Sequence, residues 1–366
     1  MNLTNNIFQL SATDLSNHLG CDHLTQLNRL VALGEETKPN WNDPSLAVLA
    51  KRGEEHEAAY VEYLKKQGLN SIYLKNQPIE ATIDAMRKGI DVLVQAKLEK
   101  GAWMGYADIL LKVQGKSKFG NWSYEVQDTK LAQDTRAATI LQLCLYTDLL
   151  SDLQGTTPWK MFVVKPGQDF PKEEFLYTEF QAYYRLVKKN LENVIAGPAL
   201  PTYPDPVLQC DICRWWKHCD TRRHTDDHLS LVAGIRSLHI GELKRQKIET
   251  LEQFAKEPKP LREKPDRGNI GSYESIQKQA KIQLKGRVAK KLLYELQPGE
   301  ISRGLARLPE PTDGDIYFDI EGDPFFDQGG LEYLLGFSFK GKSGKTEYNA
   351  LWGTDRASEK KAFEQF

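Results

Sequence analysis

The sequence predicts a mixed α/β fold in which helices flank a sheet. Apolar residues recur at helical spacing in several long segments, other segments have strand character, and the segments follow the order helix, strand, strand, helix, strand, helix. The 366 residues suffice for two or three domains. Lys+Arg and Asp+Glu number 49 and 50, so binding to nucleic acid would need local basic patches rather than net charge.

The first long helix has sequence signals at both ends. Asp43 can cap it, Pro44 suits its first turn and Gly68 can end it. His56 lies inside this helix on a side shared with apolar residues, so we expect it to point inward. A two-stranded hairpin, a helix, a buried strand and another helix then follow, with predicted bounds of 103–113, 122–130, 134–150, 159–164 and 178–194.

The pattern predicts mainly helices after residue 225, followed by further strands. Residues 232–255 resemble a helix-hairpin-helix module, a pattern that ordinary helix packing explains equally well. Further strands are predicted at 316–320 and 333–339, with a helix beginning near Arg356. We therefore expect a first domain at 1–225, a helical connector at 226–304 and the start of a third domain at 305–366.

No apolar run is long enough to span a membrane, and the N-terminus has no secretory signal pattern. We expect a cytoplasmic protein without membrane contact. In that reducing compartment, clustered cysteines indicate a metal site more than disulfides.

Acidic and basic side chains cluster on the predicted hairpin. By the two-residue period of a strand, Asp128 and Lys130 lie on one face, and Asp108 on the partner strand can reach the same place. Carboxylates beside an amine suit a site that holds a divalent cation and directs a water molecule. With one imidazole added, such ligands fit Mg²⁺ or Mn²⁺. In the following helix, Gln142 and Tyr146 stand one turn apart.

The order of these residues resembles the RecB-type nuclease branch of the PD-(D/E)xK superfamily. The residues that carry the resemblance are Gly53, His56, Glu57, Gly105, Asp108, the run 125–130, Gln142 and Tyr146. The resemblance implies a restriction-endonuclease-like mixed sheet flanked by helices, and hydrolysis of DNA phosphodiesters. We expect an exonuclease, although the residues themselves do not distinguish exonuclease from endonuclease action. One departure is Ala107, where the superfamily has a proline that is not a metal ligand.

The resemblance also implies a role for each site residue. Lys130 would position or activate the attacking water and stabilise charge that develops on the phosphate. Gln142 and Tyr146 would support the site and contact DNA, with single strands or free ends as the expected substrate. The implied ligands of Mg²⁺ or Mn²⁺ are His56, Asp108, Asp128 and the backbone carbonyl of Thr129.

Four cysteines frame the nuclease motifs. Cys210, Cys213 and Cys219 form a C-x2-C-x5-C run, and Cys21 lies near the N-terminus. This arrangement resembles the iron-sulfur members of the same nuclease family, which implies a structural [4Fe-4S] cluster. Four thiolates also make a tetrahedral zinc site, in which His218 or His23 could replace one cysteine. The fifth cysteine, Cys144, reads as a small buried hydrophobe.

Asp319 and Glu321 lie two residues apart on a predicted strand, which places both carboxylates on one face. Together with Gly336 they resemble the first motif of RNase H-like, DEDD-type exonucleases, which need two further acidic residues from later elements. We expect an incomplete, inactive RNase H-like α/β domain. A carboxylate pair at a turn is the alternative.

The order of nuclease motifs with cysteines, helical connector and RNase H-like start resembles that of large bacterial proteins that continue into a superfamily 1 helicase. A helicase domain or subunit is therefore an expected partner. The chain itself is expected to be a truncation or fragment. The expected function is metal-dependent DNA cleavage in repair, recombination or defence. A non-catalytic DNA-binding or scaffold protein of the same fold, or a zinc-stabilised module, is the alternative.

Overall fold

The computed structural model describes residues 1–41, 43–326 and 329–366. The chain divides into two compact units, each built from two separate stretches of sequence. One unit contains residues 43–184 and 299–366, and the other contains residues 1–42 and 185–298. The domain boundaries expected at 225 and 304 stay predictions.

A mixed sheet of six strands forms the centre of the unit that contains residues 43–184. Its strands lie in the order β3-β4-β5-β6-β7-β8, so each is hydrogen-bonded to its neighbour in sequence. The β3–β4 and β6–β7 pairs are parallel and the other three pairs are antiparallel. The bounds are β3 Ser71–Tyr73, β4 Val92–Lys100, β5 Trp103–Ser117, β6 Gly120–Thr129, β7 Lys160–Val164 and β8 Lys172–Leu176.

Two helices cover the sheet. Helix α3, Pro44–Lys66, begins as expected, since the Asp43 side chain accepts a hydrogen bond from the Ser45 amide and proline opens the first turn. Its buried side chains pack with strand residues in a cluster that includes Tyr60, Leu64, Val94 and Ile109. Helix α5, Ala137–Gln154, packs on strands β4 to β7. Helix α4, Ile79–Arg87, packs on β4, and helix α6 spans Tyr177–Ala196.

The second stretch of this unit forms a three-stranded antiparallel sheet in the order β11-β10-β9. Its bounds are β9 Ile316–Asp323, β10 Leu331–Lys340 and β11 Thr346–Trp352, followed by helix α11, Arg356–Gln365. Asp323 at the end of β9 accepts two hydrogen bonds from the Arg52 guanidinium on α3, at 3.0 and 2.8 Å. This bidentate pair ties the small sheet to the long helix.

The other unit is mostly helical. It begins with a short hairpin, β1 Asn2–Thr4 and β2 Ile7–Gln9, and its helices are α1 Ala12–Gly20, α2 Asp22–Leu33, α7 Trp216–Thr225, α8 Ser237–Arg245, α9 Leu251–Lys256 and α10 Ile270–Ala289. A core cluster between α8, α9 and α10 contains fully buried Leu243, Phe254 and Tyr273. A smaller cluster includes Leu24, Leu27 and Trp215.

The mixed α/β class with helices flanking a sheet is confirmed. The strands and helices predicted in the nuclease region are present as β5, β6, α5, β7 and α6. The sequence did not predict β3, β4 and β8, which widen the hairpin into a six-stranded sheet. None of the helices in the described ranges is long and apolar enough to cross a bilayer.

Candidate functional site: an acid site and a cysteine pocket

Three polar residues occupy one row across the central sheet. Val94 pairs with Ile109 and Ala96 with Ala107, so Gln95 lies opposite Asp108. The β5–β6 register places Ile109 opposite Gln127, so Asp108 in turn lies opposite Asp128. The register therefore brings the two acids together, as the hairpin predicted. We call Asp108, Asp128 and Lys130 the acid site.

Each carboxylate of the acid site is held by the protein. The backbone amide and the hydroxyl of Thr129 donate hydrogen bonds to Oδ2 of Asp108, at 2.9 and 3.1 Å. The side-chain amide of Gln142 donates to Oδ1 of Asp128 at 2.9 Å. The Nζ atom of Lys130 lies 2.5 Å from Oδ2 of Asp128, which is a charge-assisted contact.

Burial and like charge raise the pKa of Asp128. Its side chain is almost fully buried, and desolvation, reinforced by the neighbouring Asp108, raises its pKa to about 8 against the opposing effect of Lys130. Burial alone would lower the pKa of Lys130, but Asp128 and Asp108 reverse this and raise it. At pH 7 the Asp128 carboxyl is therefore mainly protonated when no cation is bound, and a bound cation would have to displace that proton.

The Oδ2 atom of Asp128 is buried and lies 2.5 Å from the Lys130 amine, and a hydrogen bond shared between the two carboxyl groups helps to raise the pKa of Asp128. When the shared proton is lost, the buried carboxylate needs a further partner. A hard divalent cation is a chemically suitable partner for oxygen ligands of this kind.

The structure adds Gln95, which the sequence did not single out, and places Glu57 of the first motif next to it. Gln95 on β4 donates one hydrogen bond to Glu57 at 2.7 Å and another to Asp108 at 3.3 Å. Burial, reinforced by Asp108, raises the pKa of Glu57 to about 7. The sequence signal for Glu57 was its place beside His56 in the first motif. Gln95 had no signal, because its partners depend on the register of a strand that was not predicted.

His56 is turned inward from α3, as predicted, and lies beside the acid site. Its Nε2 atom is 3.3 Å from the carbonyl oxygen of Val164, and that oxygen also accepts a hydrogen bond from the Lys130 amide at 3.0 Å. Burial lowers the pKa of His56, so the ring is neutral at pH 7. A neutral imidazole that donates from Nε2 to a carbonyl leaves Nδ1 as an acceptor. No hydrogen bond between His56 and the acids is present among the described residues.

Tyr146 packs over the strand that carries Asp108. A Cβ atom at Gly105 would come within 2.4 Å of the Tyr146 ring, so glycine at this position makes room for the aromatic side chain. Burial, reinforced by Asp128 and Asp108, raises the pKa of Tyr146, which keeps its hydroxyl protonated. The Gly105-x-x-Asp108 and Gln142-x-x-x-Tyr146 motifs therefore meet at one place, with Gln142 bound to an acid and Tyr146 packed beside it.

In the helical unit, four cysteines line one pocket, which we call the cysteine pocket. They are Cys21, Cys210, Cys213 and Cys219. Backbone amides donate to two of the sulfurs: Leu24 to Cys21 at 3.4 Å and Val207 to Cys210 at 3.5 Å. Such amide-to-sulfur bonds stabilise thiolates and tune iron-sulfur clusters.

The surroundings of the cysteine pocket are largely apolar. Trp215 is buried against it, Trp216 is partly exposed at its edge, and Leu24 and Leu27 form part of its wall. Burial, reinforced by Cys213, raises the pKa of Cys219 to about 11, and burial also raises the pKa of Cys21. A metal centre would have to displace these thiol protons, so its binding would weaken as pH falls.

The structure also places the remaining residues that the sequence singled out. His23 lines the pocket and its Nδ1 is 2.7 Å from the Thr202 hydroxyl, whereas His218 packs edge-on against Trp215. Cys144 is buried in α5, as predicted. The predicted carboxylates Asp319 and Glu321 are exposed on β9, opposite Gly336 and Leu334. Over residues 1–41, 43–326 and 329–366, no three His, Cys, Asp or Glu side chains are spaced so that they could jointly hold a metal ion.

Comparisons with known proteins do not assign this chain to a family. No model of a protein family matches it, and no curated protein matches it significantly. The nuclease resemblance and both cofactors therefore stay predictions.

Proposed function

We propose that the protein is a Mg²⁺- or Mn²⁺-dependent deoxyribonuclease with a restriction-endonuclease-like fold of the RecB type. One observation carries the proposal: Asp108 on β5 and Asp128 on the adjacent β6 lie together, with Asp128 buried and in contact with the amine of Lys130, which directly follows β6. A metal would polarise the scissile phosphate and activate water there.

The protein's own side chains would bind the metal, stabilise charge on the phosphate and orient the ligands. Asp108 and Asp128 would hold the cation, with the Thr129 carbonyl and Nδ1 of His56 as further candidate ligands. Lys130 would donate from its ammonium group to charge that develops on the phosphate oxygens. Gln142 keeps the Asp128 carboxylate in one orientation through its 2.9 Å hydrogen bond. DNA with single-stranded regions or free ends is the proposed substrate, and a helicase domain or subunit is the proposed partner.

We also propose that the cysteine pocket binds a structural [4Fe-4S] cluster. Four thiols from two stretches of the chain line one largely apolar pocket, and two of the sulfurs already accept backbone hydrogen bonds. A cluster would join residue 21 to residues 210–219 and so stabilise a long loop of chain. Iron and labile sulfide in anaerobically purified protein support the cluster, whereas zinc without iron contradicts it.

Cleavage of end-labelled DNA with Mg²⁺ or Mn²⁺ tests the nuclease proposal. Lys130→Ala should lower the cleavage rate by about 100-fold or more, because it removes a charge that stabilises the transition state. Lys112→Ala is the matched control, since Lys112 lies on the same sheet, is 32% exposed like Lys130, and pairs with Asp91. Equal cleavage by wild type and Lys130→Ala would reject the proposed role of Lys130. Only background cleavage in both would reject the enzyme and leave the DNA-binding alternative.

A further inference from the structure

Gln95 has a backbone conformation that is unusual for its place in the fold. It lies within β4, Val92–Lys100, with a φ of +53°. Among the described residues it is the only non-glycine residue with a left-handed φ inside a strand. Side chains with a Cβ atom avoid this region, so the surrounding structure must hold Gln95 there.

The side chain of Gln95 bridges two acids from different elements. Its single amide nitrogen donates to Oε2 of Glu57 on α3 at 2.7 Å and to Oδ1 of Asp108 on β5 at 3.3 Å. The other oxygen of Asp108 accepts from Thr129, so both oxygens of this carboxylate have a donor. With Gln95 present, the plane of the Asp108 carboxylate is fixed from two sides.

We infer that Gln95 is a positioning residue of the acid site, whose strained backbone directs one amide at Glu57 and Asp108 and so orients Asp108 for a divalent cation. The inference rests on the proposed function. Hydrogen bonds from outer residues to metal ligands restrict their orientation, and removal of such a partner commonly weakens metal binding by about 10- to 100-fold. Gln95 has the geometry of such a partner without being a ligand itself.

Two substitutions separate the amide from the backbone strain. Gln95→Gly removes the amide and relieves the strain, because glycine adopts positive φ freely. Gln95→Ala removes the amide and keeps the strain. We expect both variants to bind Mn²⁺ about tenfold more weakly than wild type in calorimetry, with Gln95→Gly melting at or above the wild-type temperature and Gln95→Ala at or below it.

The control is Gln114→Ala, which changes an exposed glutamine on β5 and should leave Mn²⁺ affinity unchanged. The Mg²⁺ concentration for half-maximal DNA cleavage should rise in the two Gln95 variants in parallel with the loss of Mn²⁺ affinity. Wild-type Mn²⁺ affinity in Gln95→Gly, with wild-type cleavage intact, overturns this inference alone. Absence of both Mn²⁺ binding and cleavage in the wild-type protein overturns the proposed function and this inference with it.

Discussion

The acid site and the cysteine pocket both hold partly or fully buried ionisable groups. They differ in which segments supply these groups and in how the protein holds them. The acid site comes from neighbouring strands and one helix, and its groups are already joined by hydrogen bonds and an ion pair. The cysteine pocket joins residue 21 to residues 210–219, and its walls are mostly apolar. We conclude that the acid site is arranged by the fold, whereas the cysteine pocket would contribute to stability mainly when a metal centre is bound.

The largest expected effect concerns Asp128. Asp128→Asn should reduce DNA cleavage by about 10²- to 10³-fold, because it removes a proposed ligand and its charge. The melting temperature should stay equal or rise, because burial and Asp108 disfavour the Asp128 carboxylate. Cleavage assays and thermal melts of the same preparations check both parts.

Asp91→Asn is the matched control for this change. The Lys112 amine lowers the pKa of Asp91, so the carboxylate is favoured in the folded protein. Its amide variant should lose stability and keep its cleavage rate. A strong loss of stability in Asp128→Asn would instead mean that the acid site holds the sheet together.

The second prediction concerns the cysteine pocket. If the proposed metal centre is bound, Cys213→Ser should release it and destabilise the helical unit, since a centre bound at a thousandfold excess over its dissociation constant stabilises the folded state by about 4 kcal/mol. Hydrogen exchange should therefore speed up in α2 and α7 while β5 and β6 keep their protection.

Cys144→Ser provides the comparison for this experiment. Cys144 is a buried cysteine of α5 that lies outside the cysteine pocket. This variant should retain iron, whatever packing it loses locally. Iron content that falls equally in Cys213→Ser and Cys144→Ser would contradict the assignment of the ligands.

The third prediction concerns the contact between Gly105 and Tyr146. Gly105→Ala should destabilise the protein by about 1–3 kcal/mol, because the new methyl group would overlap the Tyr146 ring. Urea unfolding measures this loss. The double variant Gly105→Ala with Tyr146→Leu should show less than the sum of the two single losses, since a smaller side chain makes room for the methyl group. Additive losses would show that the two positions do not interact.

The smallest effect is a pH dependence at a carboxylate in the helical unit. Glu242 accepts a hydrogen bond from Arg245 at 2.5 Å and another from Gln246 at 2.7 Å. The Arg245 guanidinium, opposed by burial and supported by Gln246, lowers the pKa of Glu242. A lowered folded-state pKa gives stability that is present above the unfolded pKa of about 4.3 and is lost as pH falls through the folded value.

Glu242→Gln should therefore be less stable than wild type at pH 7. This difference in the free energy of unfolding should be smaller at acidic pH. Urea unfolding at pH 7 and at pH 3 measures it. Glu252→Gln, which changes an exposed carboxylate of α9, should show little effect at either pH. A gap for Glu242→Gln that is unchanged at pH 3 would show that its charge contributes nothing.

The sequence predicted the parts of the acid site that follow from short-range spacing. Asp128 and Lys130 are two residues apart on a strand with clear signals, and the hairpin brings Asp108 beside them. Gln95 was missed because residues 96–100 of β4 are Ala, Lys, Leu, Glu and Lys, which favour helices. Its role depends on register and on a strained φ, which a single sequence does not encode in any local pattern.

The cysteine pocket and His56 were also predicted only in part from the sequence. The C-x2-C-x5-C run was evident from spacing, and in the structure the remote Cys21 lines the same pocket. The position of His56 was predicted only in part. The helical period turned it inward, but its bond to the Val164 carbonyl depends on the parallel pairing of β6 with β7, which the sequence did not predict.

The most direct test of the central claim is restoration of cleavage by a divalent cation. The protein is treated with a chelator and incubated with end-labelled single-stranded DNA, before and after addition of Mn²⁺, alongside Asp108→Asn prepared in the same way. We expect no cleavage without metal, restored cleavage in the wild type, and none in Asp108→Asn. Cleavage without any divalent cation, or equal restoration in the variant, would contradict the assignment of Asp108, Asp128 and Lys130 as a metal-dependent nuclease site.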